Sequence, residues 1–219
     1  MRIECTADGS HTLYIPEIEE HYHSVNGAMQ ESMHVFINAG LRQMPSSKVT
    51  ILEIGFGTGL NAYLTSLYAH ENNMEVSYTA FERYPVNTDI INQLNYSSKN
   101  TPLFNKIHEA NWNEYVFIES FFTLKKILSD FTDFDHLKEK ESFDLIYYDA
   151  FSPEKQPEMW TQNIFDYLFN HTNNEGILVT YCAKGIIRRM LQAAGFVVER
   201  IPGPPGKREM LRAQKVLMK

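Results

Sequence analysis

Carboxylates that follow buried strands are the residues of this sequence best placed to do chemistry, and one of them stands beside a run of glycines. The segment 49–54 is apolar except for Thr50 and Glu53, and Gly55, Gly57 and Gly59 follow it at alternate positions. Glycine adopts backbone dihedral angles that other residues avoid and lets a ligand lie against bare backbone. The helix expected to follow, from Leu60 to Tyr68, offers unpaired N–H groups at its start. The pattern predicts a nucleotide site at the carboxyl end of a strand.

The order of residues in the glycine turn excludes two common nucleotide sites. The turn reads Gly55-Phe56-Gly57-Thr58-Gly59, whereas a dinucleotide fingerprint requires G-x-G-x-x-G and a phosphate loop requires a Gly-Lys-Ser/Thr ending. With Glu53 two residues ahead, the E-x-G-x-G-x-G form resembles motif I of the class I S-adenosylmethionine-dependent methyltransferases. A non-catalytic module in which the turn is only structural is the alternative.

Two further acids end predicted strands. Glu82 closes the run 75–82, where a carboxylate can accept hydrogen bonds from both ribose hydroxyls of a nucleoside; otherwise it is a surface acid starting a loop. Asp149 closes the buried run 143–149 and precedes Ala150-Phe151-Ser152-Pro153. In a doubly wound sheet the fourth strand faces the reactive end of the cofactor, so Asp149 is the catalytic candidate, with helix capping as the alternative.

Alternating strands and helices must position these acids, which predicts an α/β, Rossmann-like fold with a mostly parallel, seven-stranded sheet. A small hairpin or arm is expected over residues 10–25, and we assign 1–45 to this arm with its following helix and 46–219 to the main domain. Helices are expected at 28–43, 86–96, 121–131, 155–169 and 184–194. The remaining strands are expected at 115–118, 176–182, 196–201 and 210–218, and 133–142 reads as an exposed connection.

The charge of the chain is unevenly distributed. The whole sequence carries −7, which argues against a general nucleic-acid binder. From Gly176 onward, however, nine basic residues face two acidic ones, a local charge of +7, which leaves −14 in the first 175 residues. This asymmetry is either a chance property of the surface or a face for a phosphate-bearing partner.

The cysteines, apolar runs and histidines of the sequence restrict the cellular compartment and the cofactors that can be expected. Only two cysteines are present, so a disulfide framework or a cysteine-rich zinc site is excluded. No apolar run approaches the ~20 residues of a membrane span, and the first residues lack the apolar core of a signal peptide. We therefore expect a cytoplasmic protein without membrane association. Although His21, His23 and His34 lie near one another in sequence, they lack metal-ligand spacing, and no metal is expected.

Taken together, these stretches resemble the methyltransferases that complete 5-methylaminomethyl uridine at the wobble position of tRNA, the MnmC/MnmD family. The resemblance covers almost the whole chain. It rests on 24–36, on Glu53 to Asn61, on Asp149 to Thr161 and on Lys207 to Leu211. The block from Asp149 to Thr161 is the most specific part, because general methyltransferases do not share it. The segment 202–205, with three prolines, departs from the fused members of the family.

The resemblance implies methyl transfer from S-adenosyl-L-methionine to the amine of 5-aminomethyl(-2-thio)uridine, in a standalone form without the fused flavin oxidase. An S-adenosylmethionine-dependent enzyme acting on a small-molecule or protein amine is the alternative. The implied partners are the tRNA anticodon stem-loop and a separate flavin oxidase or other enzymes that form the aminomethyl group.

The resemblance also implies roles for individual residues. Asp149 would orient the amine. The implied cofactor-binding residues are Glu53, Gly55, Gly57, Thr58, Gly59 and Glu82, with Tyr22, Asn26 and Glu31 of the arm closing over the methionine end. The implied tRNA-binding residues are Lys184, Arg188, Arg189, Lys207 and Arg208.

A wobble base would have to leave its stack to reach a buried methyl group, and exposed aromatic rings are the usual platforms for such a base. The candidates in this sequence are Tyr147, Tyr148, Phe151, Trp160 and Tyr181, each of which could instead be a core residue.

Overall fold

The computed structural model describes residues 1–98, 100–133, 137 and 141–216, and these residues form two sheets. A small antiparallel sheet comes first, with strands β1 (Arg2–Cys5), β2 (His11–Ile15) and β3 (Glu20–His21). The large sheet follows, with strands β4 (Lys48–Ile54), β5 (Glu75–Glu82), β6 (Tyr115–Glu119), β7 (Phe122–Leu128), β8 (Phe143–Tyr148), β9 (Thr172–Thr180), β10 (Val197–Pro202) and β11 (Glu209–Gln214).

The large sheet confirms the predicted α/β class. Its strand order is β10-β11-β9-β8-β4-β5-β7-β6, and the five central strands from β9 to β7 run parallel. The chain leaves β4 toward β5 on one side and later returns to β8 on the other. The order therefore reverses between β4 and β8, which is where open α/β sheets form a crevice at the carboxyl ends of their strands.

The sheet has eight strands instead of the seven expected, because the segment 121–131 is not a helix. Residues Phe122–Leu128 form β7, which pairs with β5, and the predicted strand at 115–118 is the outer strand β6 of a hairpin. Phe121, Leu124 and Leu128 recur at a spacing that also suits a helix. The alternation of a strand is hidden by Lys126, a charged residue that is only 1% exposed and donates from Nζ to the carbonyl oxygen of His108.

Six α-helices connect these strands in the described parts of the chain. Their bounds are α1 (Ala28–Ser32), α2 (Leu60–Asn72), α3 (Thr88–Ile91), α4 (Thr101–Glu109), α5 (Gln162–Asn170) and α6 (Gly185–Ala194). The predicted end of α6 at Gly195 is confirmed, since this glycine has a φ of 116° in the C-cap position. Short 3₁₀ turns lie at Leu41–Gln43, Tyr96–Ser98 and Pro157–Met159.

Two predicted helices are interrupted. The helix expected over 28–43 consists of α1, a π-helical turn at Met33–Asn38 and a 3₁₀ turn that begins after Gly40. A Cβ on Gly40 would lie 2.5 Å from the carbonyl oxygen of Phe36 and 3.2 Å from the side chain of Val179, so the chain turns here in close contact with the sheet. The helix expected over 86–96 is reduced to α3. The last part of the closing strand, 217–219, and most of the connection expected at 133–142 lie outside the described residues.

Apolar side chains fill both faces of the large sheet. One core lies between the sheet and α1, α2 and α4; the other lies between the sheet and α5 and α6. The three-stranded sheet precedes α1 and packs on the first core, which includes Leu13 and is contacted by Ile3 and Tyr22. This arrangement places the N-terminal arm, residues 1–27, over the carboxyl ends of β4, β5 and β8.

Candidate active site

The glycine turn brings the ends of β4 and β8 together. Gly55, Gly57 and Gly59 have φ values of 94°, 51° and 70°, in the left-handed region that favours glycine. A Cβ on Gly55 would lie 2.7 Å from the carbonyl oxygen of Asp149. The turn can therefore approach the end of β8 only because residue 55 has no side chain.

Glu82 lies at the end of β5, against this turn. Its Oε2 accepts a hydrogen bond of 2.8 Å from the N–H of Gly57, and its Oε1 accepts one of 2.7 Å from the N–H of Tyr84. Each carboxylate oxygen has two lone pairs, so both oxygens can accept a second donor. A carboxylate fixed by two amides at this position is suited to bind a pair of hydroxyl groups.

A buried polar network joins Glu53 to Asp149. The Nδ2 of Asn61, at the start of α2, donates to Glu53 Oε1 at 2.9 Å and to Asp149 Oδ2 at 2.8 Å. Glu53 is completely buried and Asn61 is 3% exposed. Since Nδ2 carries two hydrogens, one for each acid, Asn61 holds the two carboxyl groups in a fixed relation.

Burial raises the pKa of both acids. For Glu53 the removal from water is the largest effect, and the bond from Asn61 opposes it. The pKa of Asp149 is raised well above its ordinary value, first by burial and then by the charge of Glu31, while the bond from Asn61 and the charge of Lys207 lower it. Asp149 is therefore a carboxyl group whose proton affinity is set by a few identified neighbours.

The N-terminal arm covers the glycine turn. The ring of Tyr22 lies against Gly57, where an added Cβ would be 3.1 Å from its Cδ1, and it makes an edge contact with Phe151, with ring centroids 5.1 Å apart. His23 is buried, and its Nε2 lies 2.8 Å from Thr58 Oγ1. Burial lowers the pKa of His23 to about 4, so the imidazole is neutral at pH 7.

Two chambers meet at Asp149. The first, of about 350 Å³, is lined by the glycine turn, Glu82, the end of β7 and the arm as far as His23. The second, of about 340 Å³, lies between the arm, Glu31, Tyr181 and Lys207. Their linings share five residues, which are Tyr22, His23, Asp149, Ala150 and Phe151. Two molecules bound side by side would thus meet beside these five residues, of which Asp149 is the acid.

The second chamber contains an ion pair that links distant parts of the chain. Lys207 Nζ lies 2.6 Å from Glu31 Oε1 and 4.0 Å from the centre of the Tyr181 ring. Glu31 Oε2 accepts a hydrogen bond of 2.7 Å from the N–H of Ser24. Of the arm residues expected at the methionine end, Tyr22 borders both chambers and Glu31 borders the second. Asn26 lines neither chamber and contacts Gly206 instead.

The basic residues expected to bind tRNA are divided between two settings. Arg189 and Arg208 are exposed, and Lys184 is exposed but paired with Glu154. Arg188 is half-buried, and its Nε has no partner among the described residues. Lys207 faces the second chamber.

The proposed aromatic platforms also divide into two groups. Tyr147, Tyr148 and Trp160 are core residues with 0%, 0% and 4% exposure, which excludes them as platforms. Phe151 and Tyr181 line the second chamber and remain candidates.

The sequence did not identify three residues of the site, which are His23, Asn61 and Asp130. Asp130 lines the first chamber just after β7 and forms an ion pair of 2.6 Å with Arg83. An acid two residues after the apolar pair Ile127-Leu128 was the available signal, but the prediction of a helix over 121–131 concealed it. The histidines suspected of metal binding have separate contacts, His21 with Glu4, His23 with Thr58 and His34 with the carbonyl of Pro202. No group of three metal-ligating side chains occurs within the described residues.

Comparisons with known proteins agree with this geometry. A family model described as S-adenosyl-L-methionine-dependent methyltransferase matches residues 109–216. The tRNA 5-methylaminomethyl-2-thiouridine biosynthesis bifunctional protein MnmC of Methylobacillus flagellatus is 28% identical over 206 residues, or 87% of this chain and 32% of that protein. The protein of the same name from Campylobacter fetus is 27% identical, over 92% of this chain and 34% of that protein. The chain thus spans about a third of the length of these relatives.

Solved structures extend the likeness to the whole chain. The crystal structure of MNMC2 from Aquifex aeolicus superposes with a TM-score of 0.80 and 26% identity, covering 100% of this chain and 72% of that one. Spermidine synthase from Thermotoga maritima has a TM-score of 0.57 at 12% identity, covering 98% of this chain and 72% of that one, which shows a shared fold alone. No helix in the described parts of the chain is long and apolar enough to span a membrane. By family model, by its relatives and by its fold, the chain is similar to S-adenosyl-L-methionine-dependent methyltransferases.

Proposed function

We propose that this protein transfers a methyl group from S-adenosyl-L-methionine to the primary amine of 5-aminomethyl(-2-thio)uridine at the wobble position of tRNA, in the cytoplasm. The observation that carries the proposal is the pair of chambers that meet at Asp149, one beside the glycine turn and one lined by carboxyl groups. The relatives named for 5-methylaminomethyl-2-thiouridine biosynthesis, which match 87% and 92% of the chain, support the choice of acceptor.

The first chamber fits the cofactor. Its volume of about 350 Å³ lies in the range of small-molecule sites, and the positive φ values of the three glycines leave bare backbone along one wall. Glu82 would bind the ribose hydroxyls. Gly55, Gly57, Thr58 and Gly59 would follow the methionine and ribose portions, Glu53 and Asn61 would support them from below, and Tyr22 would close the chamber. Asp130 is a further polar group at the end opposite Asp149. When bound, the cofactor supplies an electrophilic methyl group on sulfur.

Asp149 would orient the acceptor amine. An amine enters an acidic chamber as the ammonium ion, and it must lose a proton before its lone pair can attack. The raised pKa of Asp149 makes it a better proton acceptor than an ordinary carboxylate. Asp149 would take one proton from the ammonium ion, which would leave the nitrogen lone pair free to attack the methyl group that the bound cofactor would supply. The carboxyl group would also hold the amine in line with that methyl group, and such alignment lowers the barrier.

The surface outside the chambers would bind the rest of the tRNA. Arg189, Arg208 and Lys184 are exposed, and Arg188 lies beside them, so they can contact the phosphates of the anticodon stem-loop. A wobble base turned out of its stack would enter the second chamber beside Phe151 and Tyr181. The relatives are named as bifunctional proteins, and we propose that the aminomethyl group is supplied by a separate flavin oxidase or other aminomethyl-forming enzyme.

The test is methylation of tRNA that carries 5-aminomethyl-2-thiouridine, followed by nucleoside analysis by mass spectrometry. We expect a gain of one methyl group on that nucleoside, and a loss of at least about 100-fold in rate in Asp149→Ala, in the range of a lost proton-transfer group. Asp149→Asn is the matched variant that keeps the shape but cannot accept the proton. A failure to methylate tRNA, with methylation of a free amine instead, would replace the acceptor in this proposal. Normal turnover in both variants would remove Asp149 from the mechanism.

A further inference from the structure

We propose that Lys207, paired with Glu31, is a positioning residue that sets the charge of the acceptor chamber and thereby keeps the incoming primary amine able to lose its proton, and that it is not a contact to tRNA phosphates. The inference rests on the proposed function, because it concerns the amine that enters this chamber. It reverses the expectation drawn from the basic composition of the C-terminal part of the chain.

The contacts of Lys207 lie inside the chamber. Its Nζ is 2.6 Å from Glu31 Oε1 and 4.0 Å from the centre of the Tyr181 ring. Glu31 in turn is held by the N–H of Ser24, and its side chain is only 9% exposed. Although the side chain of Lys207 is 34% exposed, its ammonium already has a nearly buried carboxylate and an aromatic face as partners, and a contact to a phosphate would have to compete with them.

The charge of the chamber explains why one cation is needed there. Three carboxyl groups line it, those of Glu20, Glu31 and Asp149. Lys207 is the only lysine or arginine among the described residues of the lining. The other titratable groups of the lining are His21, Tyr22, His23 and Tyr181. Around the lining, Cys182 follows Tyr181, and His34 binds the carbonyl of Pro202 in the loop that carries Lys207.

An acid-rich chamber attracts an ammonium ion but also stabilises it in the protonated, unreactive form. The pairing of Lys207 with Glu31 cancels one of the negative charges, which leaves Asp149 as the acid that contacts the amine. Lys207 also lowers the pKa of Asp149, opposing the effect of Glu31. Removing the ammonium should therefore raise the proton affinity of the amine and of Asp149 together.

Arg208 provides a matched control, because it is the next residue in the chain, is exposed, and lines neither chamber. The experiment measures kcat/KM for tRNA methylation against pH and against salt concentration in wild type, Lys207→Met and Arg208→Met. For Lys207→Met we expect the acidic limb of the profile to move to higher pH by about one unit, the lower end of the effect of a nearby charge, with an unchanged dependence on salt. For Arg208→Met we expect a higher KM, a weaker dependence on salt and an unmoved limb.

Further variants isolate the charge of Lys207. Lys207→Arg should restore the wild-type limb. Lys207→Met leaves Glu31 nearly buried and unpaired, so it could fail to fold; Glu31→Gln compared with the double variant Glu31→Gln/Lys207→Met then tests the same charge without that acid. We expect the limb of the double variant to lie at higher pH than that of Glu31→Gln. The proposal would be overturned if the acidic limbs of Glu31→Gln and of the double variant lay at the same pH. It would also be overturned if Lys207→Met changed only the dependence on salt.

A measurement without turnover separates this proposal from the proposed function. The pKa of the Asp149 carboxyl group can be followed by ¹³C NMR in the protein alone, and we expect it to be higher in Lys207→Met than in wild type, while Arg208→Met leaves it unmoved. If wild type fails to methylate tRNA but Asp149 titrates in this way, the acceptor is wrong and the role of Lys207 stands. If tRNA is methylated and neither the titration nor the limb moves, the role of Lys207 is wrong.

Discussion

At the scale of single residues, the site depends on contacts that other residue types could not make. Gly55 lets the turn after β4 touch the carbonyl of Asp149, and Asn61 gives one hydrogen to the buried Glu53 and one to the partly buried Asp149. The sequence allowed Gly55, Glu82 and Asp149 to be placed at strand ends, because an apolar run followed by an acid or a glycine is a local pattern. The roles of Asn61 and His23 were not predictable, since they depend on partners 88 and 35 residues away.

Gly55→Ala should damage both stability and cofactor binding. The variant strains a backbone with φ of 94° and places a Cβ 2.7 Å from a backbone oxygen. Gly9→Ala is the matched control, because Gly9 has a φ of 82° but no atom within 4 Å of an added Cβ. We expect Gly9→Ala to lower the free energy of unfolding by about 1 kcal/mol and Gly55→Ala by clearly more, as measured by chemical denaturation. Equal losses in the two variants would contradict the close approach.

Asn61→Leu should lower kcat by about 10- to 100-fold, since a hydrogen bond to a charged group contributes about 1.5–3 kcal/mol. The acidic limb of the pH profile should also move upward, because the bond from Asn61 lowers the pKa of Asp149. Asn72→Leu, at the exposed end of the same helix, removes a bond to the carbonyl of Tyr68 and serves as the control. Steady-state kinetics that fail to distinguish these variants would remove Asn61 from the network.

At the scale of elements, the sequence predicted the strands and helices whose hydrophobic periodicity is regular, and it failed where that periodicity is interrupted. The strands β4, β5 and β8 are mostly apolar and the helix α6 is amphipathic, and these elements form as expected. The prediction of a helix in place of β7 is wrong because Lys126 occupies a buried position in this strand, and the helix after residue 28 breaks where Gly40 packs against the sheet. In both places a tertiary contact outweighs the local pattern.

The packing of the N-terminal arm against the glycine turn should become less stable at acidic pH. His23 has a pKa of about 4 in the folded protein and an ordinary value of 6.5, so the unfolded chain binds the proton first. Stability that is complete above pH 6.5 is therefore lost as the pH falls toward 4, by about 3 kcal/mol for a shift of this size. We expect the free energy of unfolding of wild type to fall more steeply over this range than that of His23→Gln.

The difference between the two proteins isolates the histidine. Glu53 and Asp149, whose pKa values are raised in the folded state, favour the folded state in acid and act in the opposite direction, but they are present in both proteins. Denaturation curves at several pH values measure the effect. Parallel curves for wild type and His23→Gln would show that the imidazole is not buried in its neutral form.

At the scale of the whole molecule, the basic surface should determine how binding of tRNA depends on salt. The double variant Lys184→Glu/Arg189→Glu removes two exposed positive charges beside the chambers. We expect weaker tRNA binding and a slope of log K against log salt reduced by about one for each phosphate that the variant no longer neutralises. Lys48→Glu, at the opposite end of β4, is the control, because that lysine is paired with Glu75 far from the site. Equal slopes in filter-binding assays would place the tRNA elsewhere.

The acceptor chamber also has a consequence for the order in which the protein is made. All residues that line the first chamber lie within the first 159 of the chain, whereas the second requires Tyr181 and Lys207. The contact between Lys207 and Glu31 spans 176 residues, and contacts of such long separation form late because closing so large a loop is costly. On the ribosome, the second chamber is therefore the last part of the site to be assembled, and under the proposed function a nascent chain would become active only after Lys207 has emerged.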